Sequence, residues 1–337
     1  MLNLHKMLFF NTLIMSSLIT ISSYSWLGMW MGLEINLLSI IPLMKGNNNI
    51  FPAESALKYF LTQTLASIIL LFSIILTMNF MDYFLLSNTS ILIFNSAIFM
   101  KMGAAPFHFW FPEIMEGLSW MNSLLMLTWQ KLAPMILLMY SFNPMTFTAF
   151  IIITSAIVSS IMSLNQISLR KIMAYSSINH ISWMISSMIF SKILWMMYFC
   201  IYSIISINII LIFNNLDILY LNQLYNSFYQ NKLSKLLFSL NFLSLSGLPP
   251  FLGFLPKWLT VNSMIMNNLY FLALMIILFS LIMMFTYLRI TFNALTINFT
   301  ELVLWNLKIK KLHFNVILFN LISIFFLTLY PTIFYLY

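Results

Sequence analysis

Runs of about twenty apolar residues recur eleven times along this chain, separated by short polar links, and that recurrence limits the folds open to it. A helix of ~20 apolar residues crosses the ~30 Å hydrocarbon core of a bilayer. The runs are long and do not alternate in polarity, so the strands of a membrane barrel are excluded. Charge leads to the same conclusion. Of 337 residues 62% are hydrophobic and only 7% charged, too few to cover the surface of a soluble domain of this size. The sequence therefore predicts an all-α polytopic membrane protein.

The first segment runs roughly from Lys6 to Ser23, the second from Trp26 to Met44, and the third from about Ala56 to Met78. The fourth covers about Thr89 to Trp110, the fifth Met121 to Phe142, and the sixth Met145 to Leu164. The seventh follows Arg170-Lys171 and ends near Phe190, and the eighth runs from about Leu194 to Phe213. A polar link, Asn214 to Asn231, precedes the ninth segment, Leu233 to about Met266, which is too long for one straight span. The tenth covers about Tyr270 to Phe292 and the eleventh Phe314 to Tyr335. The opening MLNLHKMLFF leads into its span with no small-residue cleavage site, which predicts no removable signal peptide.

Basic residues test the count, because short inner-side loops of membrane proteins collect Lys and Arg. With the N-terminus inside, Lys6, Lys45, Lys58, Arg170, Lys171, Lys232, Lys235, Arg289, Lys308, Lys310 and Lys311 all fall on the inner side, against Lys192 alone outside. That asymmetry predicts an inner N-terminus and an outer C-terminus. It also accounts for the net charge of +8 without nucleic acid as a partner.

Three lysines and one acid remain inside spans: Lys101, Lys131, Lys257 and Glu34. Ionisable groups at membrane depth are costly and mark functional sites by default. Snorkelling to the interface is the bland alternative. It serves for Lys6, Lys45, Lys192 and Lys235, but Lys131 lies about ten residues from either end of its segment. The remaining acids, Glu54, Asp82, Glu113, Glu116, Asp217 and Glu301, fall in links or at helix ends, where solvated loop charge is the plain reading. His180, in SSINHISW, and more weakly His108 are candidate proton carriers, with a hydrogen-bonded structural histidine as the competing reading.

Two of the lysines sit beside helix breakers. SLSGLPPFLGFLPKW places Gly247, Pro249, Pro250, Gly253 and Pro256 just before Lys257, and FMKMGAAPFHFW places Gly103 and Pro106 just after Lys101. Proline removes a backbone donor and clashes with the preceding turn, so broken helices are expected around 101–106 and 247–257. Irregular backbone at that depth is tolerated only where protein buries it or it lines a polar cavity. The two breaks lie five helices apart, so their helices cross in opposite directions. That is the pattern of an inverted repeat, helices one to five (about 1–143) matching six to ten (about 145–292), with an extra C-terminal helix at about 314–335, in one transmembrane domain spanning 1–337.

The chemistry such groups support is proton transfer. Low dielectric penalises the charged form of an ionisable group, a neighbouring opposite charge favours it, and separating or re-forming a Glu–Lys pair therefore moves a proton. Moving one elementary charge across a potential costs ~2.3 kcal/mol per 100 mV, so a partner or an ion gradient must drive the cycle. No nucleotide, haem or metal motif is present, and the lone Cys200 permits no disulfide within the chain. Phe 33 and Met 27 against Gly 7 suggest a small A+T-rich organellar genome.

The segments SWLGMWMGLEINLLSIIPL, KMGAAPFHFWFPEIMEG, TWQKLAP, LRKIMAYSSINHISWM and SGLPPFLGFLPKW, in this order, resemble the antiporter-like membrane subunits of mitochondrial NADH–ubiquinone oxidoreductase (respiratory complex I), over essentially the whole chain. The skewed composition looks like that of an arthropod mitochondrial product. The resemblance implies a subunit of the mitochondrial inner membrane, N-terminus on the matrix side and C-terminus on the intermembrane-space side, that translocates protons while other subunits transfer electrons. It implies that Glu34 and Lys101 form the coupling pair and Lys131 the central relay, with His180 assisting and Lys257 on the exit side. It places NADH, FMN, Fe–S clusters and ubiquinone in other subunits, with no cofactor in this chain. The expected partners are neighbouring membrane-arm subunits and lipids including cardiolipin. Two other readings compete. A free-standing cation/proton antiporter would need more carboxylates than Glu34 alone, and a structural scaffold would carry its charges as relics.

Overall fold

A computed structural model describes residues 4–45, 50–79, 84–141, 145–230, 232–249 and 251–296, together with Ile317 and Asn320. The described residues form fourteen helices and one isolated antiparallel bridge, Ser168 to Tyr220. The first three helices are α1 (Leu4–Ser22), α2 (Trp26–Met44) and α3 (Ile50–Asn79). The next four are α4 (Phe84–Met102), α5 (Trp110–Gly117), α6 (Trp120–Leu127) and α7 (Trp129–Tyr140). Then come α8 (Met145–Ser163), α9 (Leu169–Phe190), α10 (Lys192–Leu216) and α11 (Leu221–Gln230). The last described are α12 (Lys232–Ser246), α13 (Phe254–Met266) and α14 (Tyr270–Thr296). Among the described residues, seven helical stretches are long and apolar enough to cross a membrane, and Thr89–Met102 and Leu233–Ser246 are shorter apolar helices. The expected eleventh segment, about 314–335, lies outside the described residues.

Both expected breaks are present, and their geometry is the same. At the end of α4, Gly103 adopts φ +74°, its N–H reaches Met100 O at 3.2 Å, and Ala104 N–H reaches Phe99 O at 3.1 Å. At the end of α12, Gly247 adopts φ +80°, its N–H reaches Ser244 O at 3.1 Å, and Leu248 N–H reaches Leu243 O at 3.5 Å. This pair of bonds closes a helix on a left-handed residue, which glycine adopts without steric cost. Each break therefore falls at the glycine; Pro106 and Pro249 follow in the turns, and Pro256 lies in the first turn of α13.

Three expectations need correction. The segment around Lys131 is not one continuous helix. It is interrupted at Thr128 (φ −114°, ψ −73°) between α6 and α7, where the Thr128 hydroxyl donates back to Leu124 O at 2.8 Å. Such back-bonding bends helices, and Pro134 within α7 removes another backbone donor. The polar link 214–231 contains a helix, α11, held by the buried Leu221 and Leu224 three residues apart; its low apolar content hid it. Lys257 lies inside α13 rather than in the break, in the turn that follows it.

Chain contacts divide the protein into two compact units, Met1–Ser155 and Ala156–Tyr337. In the first, α1 and α2 pack closely, with Gly32 against Thr20 and Ser16. The α3 helix packs on α2, α4 and α5, and α4 packs on α7. In the second, α9 packs against α10, α13 and α14. The α9 helix is too polar to count as a span by hydropathy, carrying Ser176, Ser177, Asn179, His180, Ser182, Ser186 and Ser187, yet all seven are buried. A helix surrounded by other helices does not need a lipid-facing stripe. Its serines satisfy their hydroxyls on backbone carbonyls one turn back, as Ser176 does on Met173 O at 2.7 Å.

Candidate functional site

In the first unit the last turn of α4 and the helices α2, α3, α5, α6 and α7 line a cavity of about 20 Å³. That is room for a single water. Lys101 and Lys131 both line it, with Tyr59, Gln63, Asn36 and Gln130 as further polar walls and Phe111 and Trp110 as aromatic ones. Lys101 Nζ lies 3.9 Å from Glu34 Oε1, and the lysine side chain is 4% exposed against 25% for the glutamate. The ion pair is thus buried on one side and open on the other.

Each lysine is positioned by a helix end. Lys101 is in the last turn of α4, where the negative end of the helix dipole favours a cation. The carbonyls freed at that end find donors, Met100 O from Trp110 Nε1 at 3.1 Å and Lys101 O from Gln63 Nε2 at 3.4 Å. Lys131 follows the Thr128 interruption in the first turn of α7, 2% exposed, with its Nζ 5.5 Å from the centre of the Phe111 ring. A cation over an aromatic face is attracted by the ring quadrupole. The Asn36 and Gln130 amides exchange two hydrogen bonds of 2.9 and 3.1 Å, and Tyr59 Oη adds a contact to Gln130 Oε1 at 3.5 Å.

In the second unit Lys257 Nζ donates to Ser246 O at 2.8 Å, one of the carbonyls left open where α12 ends. It also lies 5.7 Å from the centre of the Trp183 ring. The Gly247 turn makes this seat possible, since a Cβ there would come within 2.8 Å of Lys257 Cδ. His180 stands three residues before Trp183 on α9, hence on the same helix face. Its Nδ1 is 3.0 Å from Tyr198 Oη, and its ring lies 4.9 Å from that of Tyr202.

The structure therefore brings Glu34, Lys101 and Lys131 to one site and seats His180 and Lys257 about Trp183 in the other unit. It does not bring His108 to the cavity: His108 is buried in the turn beyond α4, its ring 4.4 Å from that of Phe109. Sequence reasoning missed Asn36, Tyr59, Gln63, Gln130, Trp183 and Tyr198. A signal existed for some of them. Tyr59 and Gln63 are four apart on α3, and Gln130 adjoins Lys131. Among the described residues no three His, Cys, Asp or Glu side chains gather as a metal ion would require.

Glycine-broken helices, buried lysines at their ends and a part-buried acid–base pair define a polytopic helical membrane protein with an internal ionisable site. The chain belongs to the NADH:quinone oxidoreductase/Mrp antiporter transmembrane family, whose profile matches residues 23–283. It is similar to NADH-ubiquinone oxidoreductase chain 2 of Anopheles gambiae, 50% identical over 289 residues that cover 83% of each chain. To the same protein of Locusta migratoria it is 46% identical over 286 residues, 85% of this chain and 84% of that one. Its fold is similar to a chain of respiratory complex I from Thermus thermophilus with bound aureothin. The TM-score is 0.85 at 21% identity, over 97% of this chain and 78% of that one.

Proposed function

We propose that this chain is a core membrane-arm subunit of respiratory complex I, NADH:ubiquinone reductase, and that it translocates protons by a relay of buried Glu and Lys side chains. The observation that carries the reading is the Glu34–Lys101 ion pair, whose buried lysine lines a cavity that Lys131 also lines. Family membership and relatives named NADH-ubiquinone oxidoreductase chain 2 support it.

In this reading, withdrawal of the Glu34 carboxylate leaves the Lys101 ammonium without its counter-charge. One proton then passes from Lys101 Nζ through the cavity to a neutral Lys131 amine, Lys131 releases a proton toward the exit side and is neutral again, and return of Glu34 favours reprotonation of Lys101 from the uptake side. His180 and Lys257 offer a second exchange site in the other unit. Energy comes from electron transfer in other subunits, which hold NADH, FMN, the Fe–S clusters and ubiquinone. The chain is one transmembrane domain, with residues of about 1–143 and 145–292 as the halves of an inverted repeat and an extra C-terminal helix at about 314–335. The chain resides in the mitochondrial inner membrane, N-terminus on the matrix side and C-terminus on the intermembrane-space side, against neighbouring membrane-arm subunits and lipids including cardiolipin.

The test is Lys131→Met in the assembled complex, sealed in liposomes. Coupled turnover and proton pumping should fall together by about tenfold or more, as expected when a proton carrier is removed. Unchanged pumping would favour the scaffold reading. Sodium- or potassium-linked proton flux by the purified single chain, with no redox partner, would favour the antiporter.

A further inference from the structure

We propose that Asn36 and Gln130 form a clamp that sets Lys131 against the cavity, which makes Gln130 a positioning residue for proton transfer; the inference rests on the relay reading above. Lys131 stands on weakly held backbone. The helix before it is interrupted at Thr128, and Lys131 N–H reaches Thr128 O, three residues back, at 3.2 Å. Pro134 has no N–H to give the carbonyl of Gln130. A side-chain restraint at this turn therefore fixes what the backbone leaves loose.

The amide pair provides that restraint. Two reciprocal hydrogen bonds, 2.9 and 3.1 Å, fix orientation as well as distance, and Tyr59 Oη approaches Gln130 Oε1 at 3.5 Å from a third helix. Gln130 immediately precedes Lys131, and Asn36 lies two residues beyond Glu34 on α2. The clamp thus ties the half-helix bearing the relay lysine to the helix bearing the acid of the ion pair. Neither amide titrates in the working pH range, so the pair orients the transfer without carrying the proton. A cavity of about 20 Å³ admits one water, and one water bridges two amines only if both are held in place.

The experiment compares the wild-type complex with Lys131→Met, Gln130→Leu and the exchange Asn36→Gln/Gln130→Asn, each assembled, sealed in liposomes and read as the rate of proton translocation driven by NADH oxidation. Gln130→Leu should lower that rate by about tenfold or more, the scale of a misplaced reacting group. The exchange should recover most of it, because it restores the same donors and acceptors to the pair. A wild-type rate in Gln130→Leu while Lys131→Met fails to pump would overturn the clamp and leave the relay standing. An exchange variant no better than Gln130→Leu would also overturn it. Unchanged pumping in Lys131→Met would remove the relay and the clamp together. If Gln130→Leu does not assemble, the exchange decides: a wild-type rate supports the clamp and a lost rate overturns it.

Discussion

Each of the three buried lysines is seated by a different partner. Lys101 faces the Glu34 carboxylate, Lys131 the Phe111 ring, and Lys257 the Ser246 carbonyl. The first seat depends on charge alone, since the gap of 3.9 Å is longer than a hydrogen bond. Glu34→Gln keeps shape and polarity but removes the counter-charge, and breaking a buried pair costs about 3–5 kcal/mol at most, less where one partner is part-exposed. The expected outcome is an assembled complex with reduced stability and little coupled pumping, checked by thermal unfolding and by acidification of liposomes. The third seat depends on Gly247. Gly247→Ala forces a non-glycine residue to φ +80°, at about 1–2 kcal/mol, and sets its Cβ against the lysine stem. Proton translocation should fall more than assembly does in that variant, because the collision is with the ionisable side chain itself.

Helix ends carry most of the consequences at the next scale. The breaks after Lys101 and before Lys257 were legible because glycine and proline are strong local signals that act through their own backbone. The interruption at Thr128 was less so. Threonine is common within spans, and only its hydroxyl returning to Leu124 O reveals the bend. The α11 helix was missed for the opposite reason, since two buried leucines in a polar stretch stabilise a helix only when a neighbouring surface receives them. Helix packing makes its own prediction. A Cβ on Gly32 would meet Thr20 Cγ2 at 2.5 Å and Thr20 N at 3.0 Å, so Gly32→Ala should part α1 from α2 and cost about 1–3 kcal/mol, visible as earlier thermal disassembly. The contrasting case is Lys58, whose ammonium lies 3.0 Å from both Glu54 and Glu113 with its side chain 43% exposed. Exposed pairs contribute little, so Lys58→Met should leave assembly and pumping within error of wild type.

For the molecule as a whole, the membrane dictates where chemistry is accessible. Cys200 is exposed on α10, eight residues after Lys192 and so about 12 Å along the helix axis, within the apolar span. A polar reagent does not enter hydrocarbon, so a membrane-impermeant maleimide should leave this thiol unmodified in intact membranes and label it after denaturation in detergent. Labelling in intact membranes would place α10 against water. By itself the sequence determined the class of fold, most of the helices, the two glycine breaks and the buried charges, because hydropathy and backbone chemistry are local properties written residue by residue. Only the tertiary structure decided which of those charges share a cavity, that His108 stands apart from it, and that Asn36, Gln130, Tyr59 and Trp183 surround the lysines. Those are meetings between residues on different helices, and they depend on how the helices pack.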